Sequence, residues 1–414
     1  MLKFFCFSWF LLISAALFSQ KNTLPKLKTG SWTGNLKIAE NVSLPFKFVI
    51  SKSDKGLSYS VFNASEEIIL TNPVFKQDTL TIEFPTFNSK LVLNPSKKKR
   101  LTGYWQNLNK GVNYTIPCTI TEGYNHRFEN MKLYVSNTYP PNDFSGKWES
   151  TFEPATADAY KAVGLFSQIS TTISGTFLTE TGDYRFLDGT VVQDSLFLSC
   201  FDGSHAFLFT GKLSNDKIDG KFYSGKHWQT DWIAKRNELF ELPHPDSLTH
   251  IVNSDPFRLS LKDLNGNDFV FPNENYSGKV TIIQIMGTWC PNCMDETRYF
   301  KELYATYHNQ GLEIISVGYE VGNTFEEYAA KISTLKTRLN LDYTFLVGGS
   351  ASKGLASEQF KMLNQIISFP TAIFIGKDGT IKKVHTGFNG PGTGSYYTDY
   401  VKETDVFIQE LLKQ

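Results

Sequence analysis

The sequence predicts an α/β domain in the C-terminal 256–414 stretch, preceded by a mainly antiparallel β region organised as two barrel-like units. Three observations carry this. Residues 279–286 (KVTIIQIM) are a β-branched apolar run that ends at Gly287-Thr288 and passes into a helical pattern from Pro291. Further strand and helix signals alternate after it. Ahead of residue 243, by contrast, short strand signals follow one another with Asn, Asp, Gly and Ser clusters between them.

In chain order, Met1-Leu2-Lys3 leads into an almost unbroken apolar stretch to Phe18, then Ser19-Gln20. One basic residue, a short apolar core and small residues near its end are the pattern of a secretory signal peptide over 1–20. The stretch is shorter than the roughly 20 apolar residues a membrane span needs, which leaves an uncleaved signal anchor as the alternative. Cys6 lies at the front of the apolar core, not after it, so it is not a lipid-attachment site. A first β unit is expected over 21–138, with strands at 45–50, 57–62, 79–84 and 90–93. A second is expected over 139–242, with strands at 173–178, 184–187, 195–201, 206–210, 220–223 and 228–234. Gly30-Ser31-Trp32 and Gly146-Lys147-Trp148 open the two units, and Gly103-Tyr104-Trp105 and Gly220-Lys221-Phe222 are expected to end them. A Gly-x-Trp opening on a β meander is similar to lipocalin- and avidin-like barrels, whose interior can hold a ligand. A partner-docking or spacing module fits the same signals.

Pro243-His244-Pro245 marks a boundary, and 243–255 is read as a linker. In the C-terminal domain a hairpin is expected around Asn265-Gly266 within 257–271. The strand 279–286 and the helix after it follow, with Phe300, Leu303, Tyr304 and Tyr307 on one helical face and Gly311 as the stop. A strand at 312–317 leads to Tyr319-Glu320, which points to the end of the sheet where the cysteines lie. Thr324-Phe325-Glu326-Glu327 is a capping box for a helix toward Leu339. Strands at 343–347, 372–375 and 381–385 complete the pattern, the last two joined by an Asp378-Gly379 turn.

The turn after 279–286 carries Trp289-Cys290-Pro291-Asn292-Cys293. Cys290 stands at the helix N-terminus, where free backbone N–H groups and the helix dipole stabilise a sulfur anion. Cys293, one turn on, is close enough to form a short disulfide. Half of a zinc site is the first competing reading, but no second C-x-x-C or H-x-x-x-H exists, and no metal is expected. A structural disulfide is the second, but so short a loop constrains little of the unfolded chain. Redox exchange remains.

These residues resemble the thioredoxin superfamily, and within it the exported TlpA/ResA-type thiol-disulfide oxidoreductases grouped with the AhpC/TSA redoxins. The likeness covers about 256–414 and implies a thioredoxin-like domain with a central mixed sheet flanked by helices. It extends to Phe369-Pro370-Thr371 ahead of the 372–375 run, where Pro370 matches the family's cis-proline facing the cysteines. Trp289, Pro291, Phe369, Pro370 and Thr371 are then the substrate surface. Thioredoxins proper carry a buried aspartate six residues before the first cysteine; that position here is Gln284, which cannot titrate. The TlpA/ResA branch uses a glutamate three residues after the second cysteine, and Glu296 occupies that place. Glu296 is therefore assigned to proton handling, with Cys290 as nucleophile and Cys293 as the resolving thiol. Neighbouring Asp295 is read as a helix-start acid.

Forty-one basic residues balance 41 acidic ones, no basic stripe suggests nucleic acid, and Lys97–Arg100 is one short cluster. The glycine-rich run from Gly387 to Gly394 lacks the Lys-Ser/Thr ending of a phosphate loop and is read as a turn at the active-site rim. The expected function is reduction of disulfides in envelope proteins of the periplasm or cell envelope, with an upstream electron donor. No cofactor beyond the Cys290–Cys293 redox pair is expected. Peroxide reduction and a non-enzymatic binding role for the β region are the alternatives. Cys118 and Cys200 either pair across the two units or stay as buried thiols, the second being preferred.

Overall fold

The computed structural model describes residues 27–54, 56–96, 99–128, 141–253 and 255–414. The signal-peptide stretch 1–20 lies outside them, as do Lys97 and Lys98. Among the described residues no helix is long and apolar enough to cross a membrane.

The first unit is a nine-stranded antiparallel meander running from Gly30–Ala39 to Thr115–Glu122. Its last strand returns to pair with its first, Leu36 opposite Cys118. The sheet curls but stays open between the short strands Glu66–Ile69 and Thr71–Lys76. Alternation does the folding: the buried positions of the first strand include Trp32, Leu36 and Ile38, spaced by two or four, and face Phe46, Phe48 and Trp105 in one core. Gly34 is required there, since a Cβ on it would lie 2.2 Å from the Phe46 ring.

The second unit closes. Strands Gly146–Phe152 and Trp228–Arg236 pair at one seam, and Tyr160–Ile169 pairs with Thr172–Thr179 at the other. Aromatic rings fill the barrel: Phe209 and Phe222 stack at 4.2 Å, and Phe177 meets Trp232 edge-on at 5.1 Å. The space that a ligand would take is thus largely side chain. Gly103-Tyr104-Trp105 and Gly220-Lys221-Phe222 do not end their units, because Thr115–Glu122 and Trp228–Arg236 follow them. Residues 184–187 are not a strand either. Residues 184–186 form a loop, and the strand starts at Leu187. Arg185 takes a positive φ of 63°, its N–H held by Asp183 Oδ1 at 2.6 Å, which breaks any extended run.

The two units share packing. Phe201 of the second sits in the core of the first, 4.8 Å from Phe46 and 5.2 Å from Trp105. Buried Arg127 binds both, donating to Asn63 Oδ1 at 2.9 Å and Ser199 Oγ at 2.8 Å, with Asp188 2.9 Å from its Nε. Cys118 and Cys200 are buried free thiols on separate strands.

The C-terminal domain has seven strands: β1 (Leu259–Asp263), β2 (Asp268–Phe271), β3 (Val280–Met286), β4 (Leu312–Glu320), β5 (Thr344–Ser350), β6 (Thr371–Ile375) and β7 (Ile381–Thr386). They lie in the order β2-β1-β5-β4-β3-β6-β7, with β3, β4 and β5 parallel and the rest antiparallel. All seven residues of β3 are buried, as a strand covered on both faces requires. The helices are α1 (Pro245–Leu248), α2 (Pro291–Tyr307), α3 (Phe325–Leu339), α4 (Lys353–Gln359) and α5 (Ser395–Lys413). This is a mixed sheet with separate cores on its two faces, the thioredoxin-like arrangement. Residues 243–255 do not hang free: Asp246 of α1 meets His385 at 2.6 Å, and Thr386 donates to Thr249 at 2.8 Å, both on β7.

Candidate active site

Cys290 is the N-cap of α2. Its Sγ accepts from the Cys293 N–H at 3.3 Å and lies 3.5 Å from the Phe369 carbonyl oxygen, to which the thiol donates. The Phe369–Pro370 bond is cis, and the α2 cap and the segment leading into β6 meet at this sulfur. Cys293 is fully buried, and burial, reinforced by the neighbouring Cys290 sulfur, pushes its thiol well up. Before the cap, Glu320 at the end of β4 accepts from the Thr288 N–H at 2.7 Å and from Thr288 Oγ1 at 2.6 Å. The indole N–H of Trp289 donates to Tyr319 O at 2.9 Å. The tip of β4 thereby fixes the turn that presents Cys290. Burial pushes Glu320 up to about 7, with the Thr288 donors opposing the shift.

Glu296 is on the inner face of α2, with no exposed surface. Its Oε2 accepts from Gln284 Nε2 at 2.9 Å, while Oε1 has no partner. Desolvation dominates over the Gln284 hydrogen bond and pushes Glu296 up to about 8, so it carries a proton at neutral pH. Gln284 also reaches toward the Cys293 carbonyl at 3.5 Å, exchanges hydrogen bonds with Thr297, and is held by Ser316 Oγ at 2.7 Å. Gln284, which cannot titrate, is the hub that ties the acid to Cys293, Thr297 and β4. Asp295 differs from its helix-start reading: it is buried, and it pairs with Arg185 of the second β unit and with Arg298 at 2.9 Å.

The expected substrate surface is covered. Pro291, Phe369, Pro370 and Thr371 are buried and Trp289 is half-buried. The glycine-rich loop after β7 forms part of the rim, with Phe388 O accepting from Asn292 Nδ2 at 3.1 Å. Among the described residues no cluster of His, Cys, Asp and Glu could hold a metal ion.

Fold and site together define a thioredoxin-fold domain carrying a C-x-x-C dithiol. Residues 248–400 match the Redoxin family model, and this C-terminal region is a redoxin domain. Over 129 residues the chain is 31% identical to the thiol-disulfide oxidoreductase ResA of Geobacillus thermodenitrificans and 32% identical to that of Geobacillus kaustophilus. Each match takes in 31% of this chain and spans 64% of the relative. Solved structures similar to it include StoA from Bacillus subtilis, with 20% identity, TM-score 0.27, and coverage of 37% of this chain and 99% of that one. A thiol-disulfide oxidoreductase from Bacteroides fragilis gives 18% identity, TM-score 0.28, and coverage of 37% and 99%.

Proposed function

We propose that the protein is an exported thiol-disulfide oxidoreductase that reduces disulfides of envelope proteins. The observation that carries this reading is Cys290 at the cap of α2, its sulfur held between the Cys293 N–H and the Phe369 carbonyl. The Cys290 thiolate attacks one sulfur of a substrate disulfide; that S–S bond breaks, a mixed disulfide forms, and the leaving sulfur takes a proton. Cys293 then loses its proton and attacks Cys290, releasing the second substrate thiol and leaving the Cys290–Cys293 disulfide. Two electrons have passed to substrate, and an upstream dithiol donor restores the pair. Glu296, protonated at neutral pH beside this pair, is the group suited to give and recover the proton. The thiol-disulfide oxidoreductase names of the relatives support the exchange chemistry, and the signal-like first 20 residues support export. Insulin reduction by the full chain with dithiothreitol as electron source tests the reading: Cys290→Ser should abolish the catalysed rate, and an undiminished rate in that variant sinks it.

A further inference from the structure

Residues 180–186 of the second β unit lie across the rim of the dithiol site. The Thr181 carbonyl accepts from Ser368 Oγ at 3.1 Å, immediately before the Phe369–Pro370 step. The Asp183 carbonyl lies 3.4 Å from Asn292 Nδ2, inside the C-x-x-C itself, and Asp183 Oδ2 accepts from the Gly390 N–H at 2.6 Å. The approach is too close for side chains. A Cβ on Gly182 would fall 2.2 Å from Asn292 Nδ2, and one on Gly387 would fall 2.9 Å from the Thr181 carbonyl carbon. From the other side Ser204 Oγ donates to Trp289 O at 3.2 Å, and Phe87 of the first unit packs into the core cluster that contains Cys290. Cys290 retains 8% of its surface.

One side chain ties this cover down. Arg185, buried and in the second unit, reaches Glu66 of the first unit at 2.5 Å, Asp202 of its own unit at 3.7 Å, and Asp295 on α2. Three carboxylates from three units thus share one guanidinium, and the one on α2, Asp295, is five residues from Cys290 in sequence. Without it buried Asp202 and Asp295 and half-buried Glu66 lose their shared cation, Asp295 keeping Arg298, and the crowding of the three carboxylates is relieved by separating the units. The other contacts are mostly polar, among them Arg298 to Thr86 Oγ1 at 3.1 Å and Arg338 to Pro85 O at 3.2 Å, with Phe87 the apolar exception, and mainly polar interfaces are the kind that domains open and close.

We propose that the β region is a cover on the dithiol, latched by Arg185, and that a protein disulfide reaches Cys290 only when the latch opens. This rests on Cys290 being the attacking thiol, but its test reads accessibility and not turnover. The reduced full-length protein and its Arg185→Ala and Asp183→Ala variants are treated with a 5-kDa polyethylene-glycol maleimide, and each cysteine is followed by peptide mass mapping. Cys118 and Cys200, buried inside the β units, report whether those units stay folded. The decision is taken on whichever variant keeps both unlabelled. The latch predicts labelling of Cys290 at least tenfold faster than in wild type. Equal rates in wild type and variant overturn it. Insulin reduction separates the two ideas. An unmasked Cys290 without exchange activity defeats the proposed function and leaves the cover standing, whereas equal labelling with undiminished exchange defeats the cover alone.

Discussion

Gln284 Nε2 donates to Glu296 Oε2 at 2.9 Å, underneath the helix that Cys290 caps. A neutral amide thus occupies the strand position from which thioredoxins proper present an acid, and the acid has moved onto the helix. The exchange keeps one buried protonable group next to the resolving cysteine, with the amide supplying its only hydrogen bond among the described residues and leaving Oε1 free for a proton.

Stability should follow the titration of that acid. Unfolded, Glu296 ionises near pH 4.3, whereas folded it holds its proton to about 8. Between those values the folded state binds more protons than the unfolded one, so the contribution is fully present below the lower value and is lost as pH rises through the upper. Wild type should lose stability relative to Glu296→Gln by up to about 1.4 kcal/mol per pH unit in this window. Glu320 titrates in both proteins and cancels in the comparison. Urea unfolding of both under reducing conditions at pH 5, 6.5 and 8 checks it, and parallel pH dependences would contradict it.

Exchange should show the same group. With Glu296 as the proton carrier, the wild-type rate should lose an alkaline limb centred near pH 8 when the acid is removed. Glu296→Gln is expected to run at least tenfold slower at pH 7 and to lack that limb. A pH–rate profile of the catalysed reaction distinguishes this from a loss of folding, which would lower the rate evenly at every pH.

Glu320 holds the cap from the side of β4, so Glu320→Ala leaves Thr288 without its acceptors. Losing buried hydrogen bonds of this kind costs about 1–3 kcal/mol. We expect Glu320→Ala to unfold at lower urea and to exchange more slowly, and Glu320→Gln, which still offers an acceptor, to recover most of both. Equal behaviour of the two variants would show that the cap does not depend on this contact.

Cys118 and Cys200 should be silent. Burial pushes both thiols up, and among the described residues neither is bonded to another cysteine. In the reduced native protein a thiol reagent should leave them unmodified and reach them only in denaturant. Cys118→Ala with Cys200→Ala should leave insulin reduction unchanged. A disulfide between them in non-reducing peptide maps would contradict this account.

The sequence made some of this legible and hid the rest for physical reasons. The β3-turn-α2 unit could be read because its signals are local: β-branched residues, a Gly-Thr turn, then helical spacing. The Thr324 cap was legible likewise, its Oγ1 accepting from the Glu327 N–H at 3.3 Å. Glu66–Ile69 and Thr71–Lys76 escaped because they are short edge strands with no fully buried residue, so no apolar/polar alternation marks them. Residues 184–187 misled because Tyr184, Arg185 and Phe186 alternate as a strand would, while the turn closed by Asp183 on the Arg185 N–H breaks the run and the side chain of Arg185 is held by residues 119, 17 and 110 positions away. For the same reason the covering of Trp289, Pro291 and Phe369-Pro370-Thr371 could not be foreseen: it is made wholly of contacts between distant parts of the chain.

The central claim is the division of labour between the two cysteines, and trapping tests it most directly. The Cys293→Ser protein, incubated with a disulfide-bonded substrate and analysed by intact mass, should accumulate a mixed disulfide that maps to Cys290, because the resolving thiol is gone. Cys290→Ser should accumulate none. Trapping by Cys290→Ser through Cys293, with none by Cys293→Ser, would contradict the account.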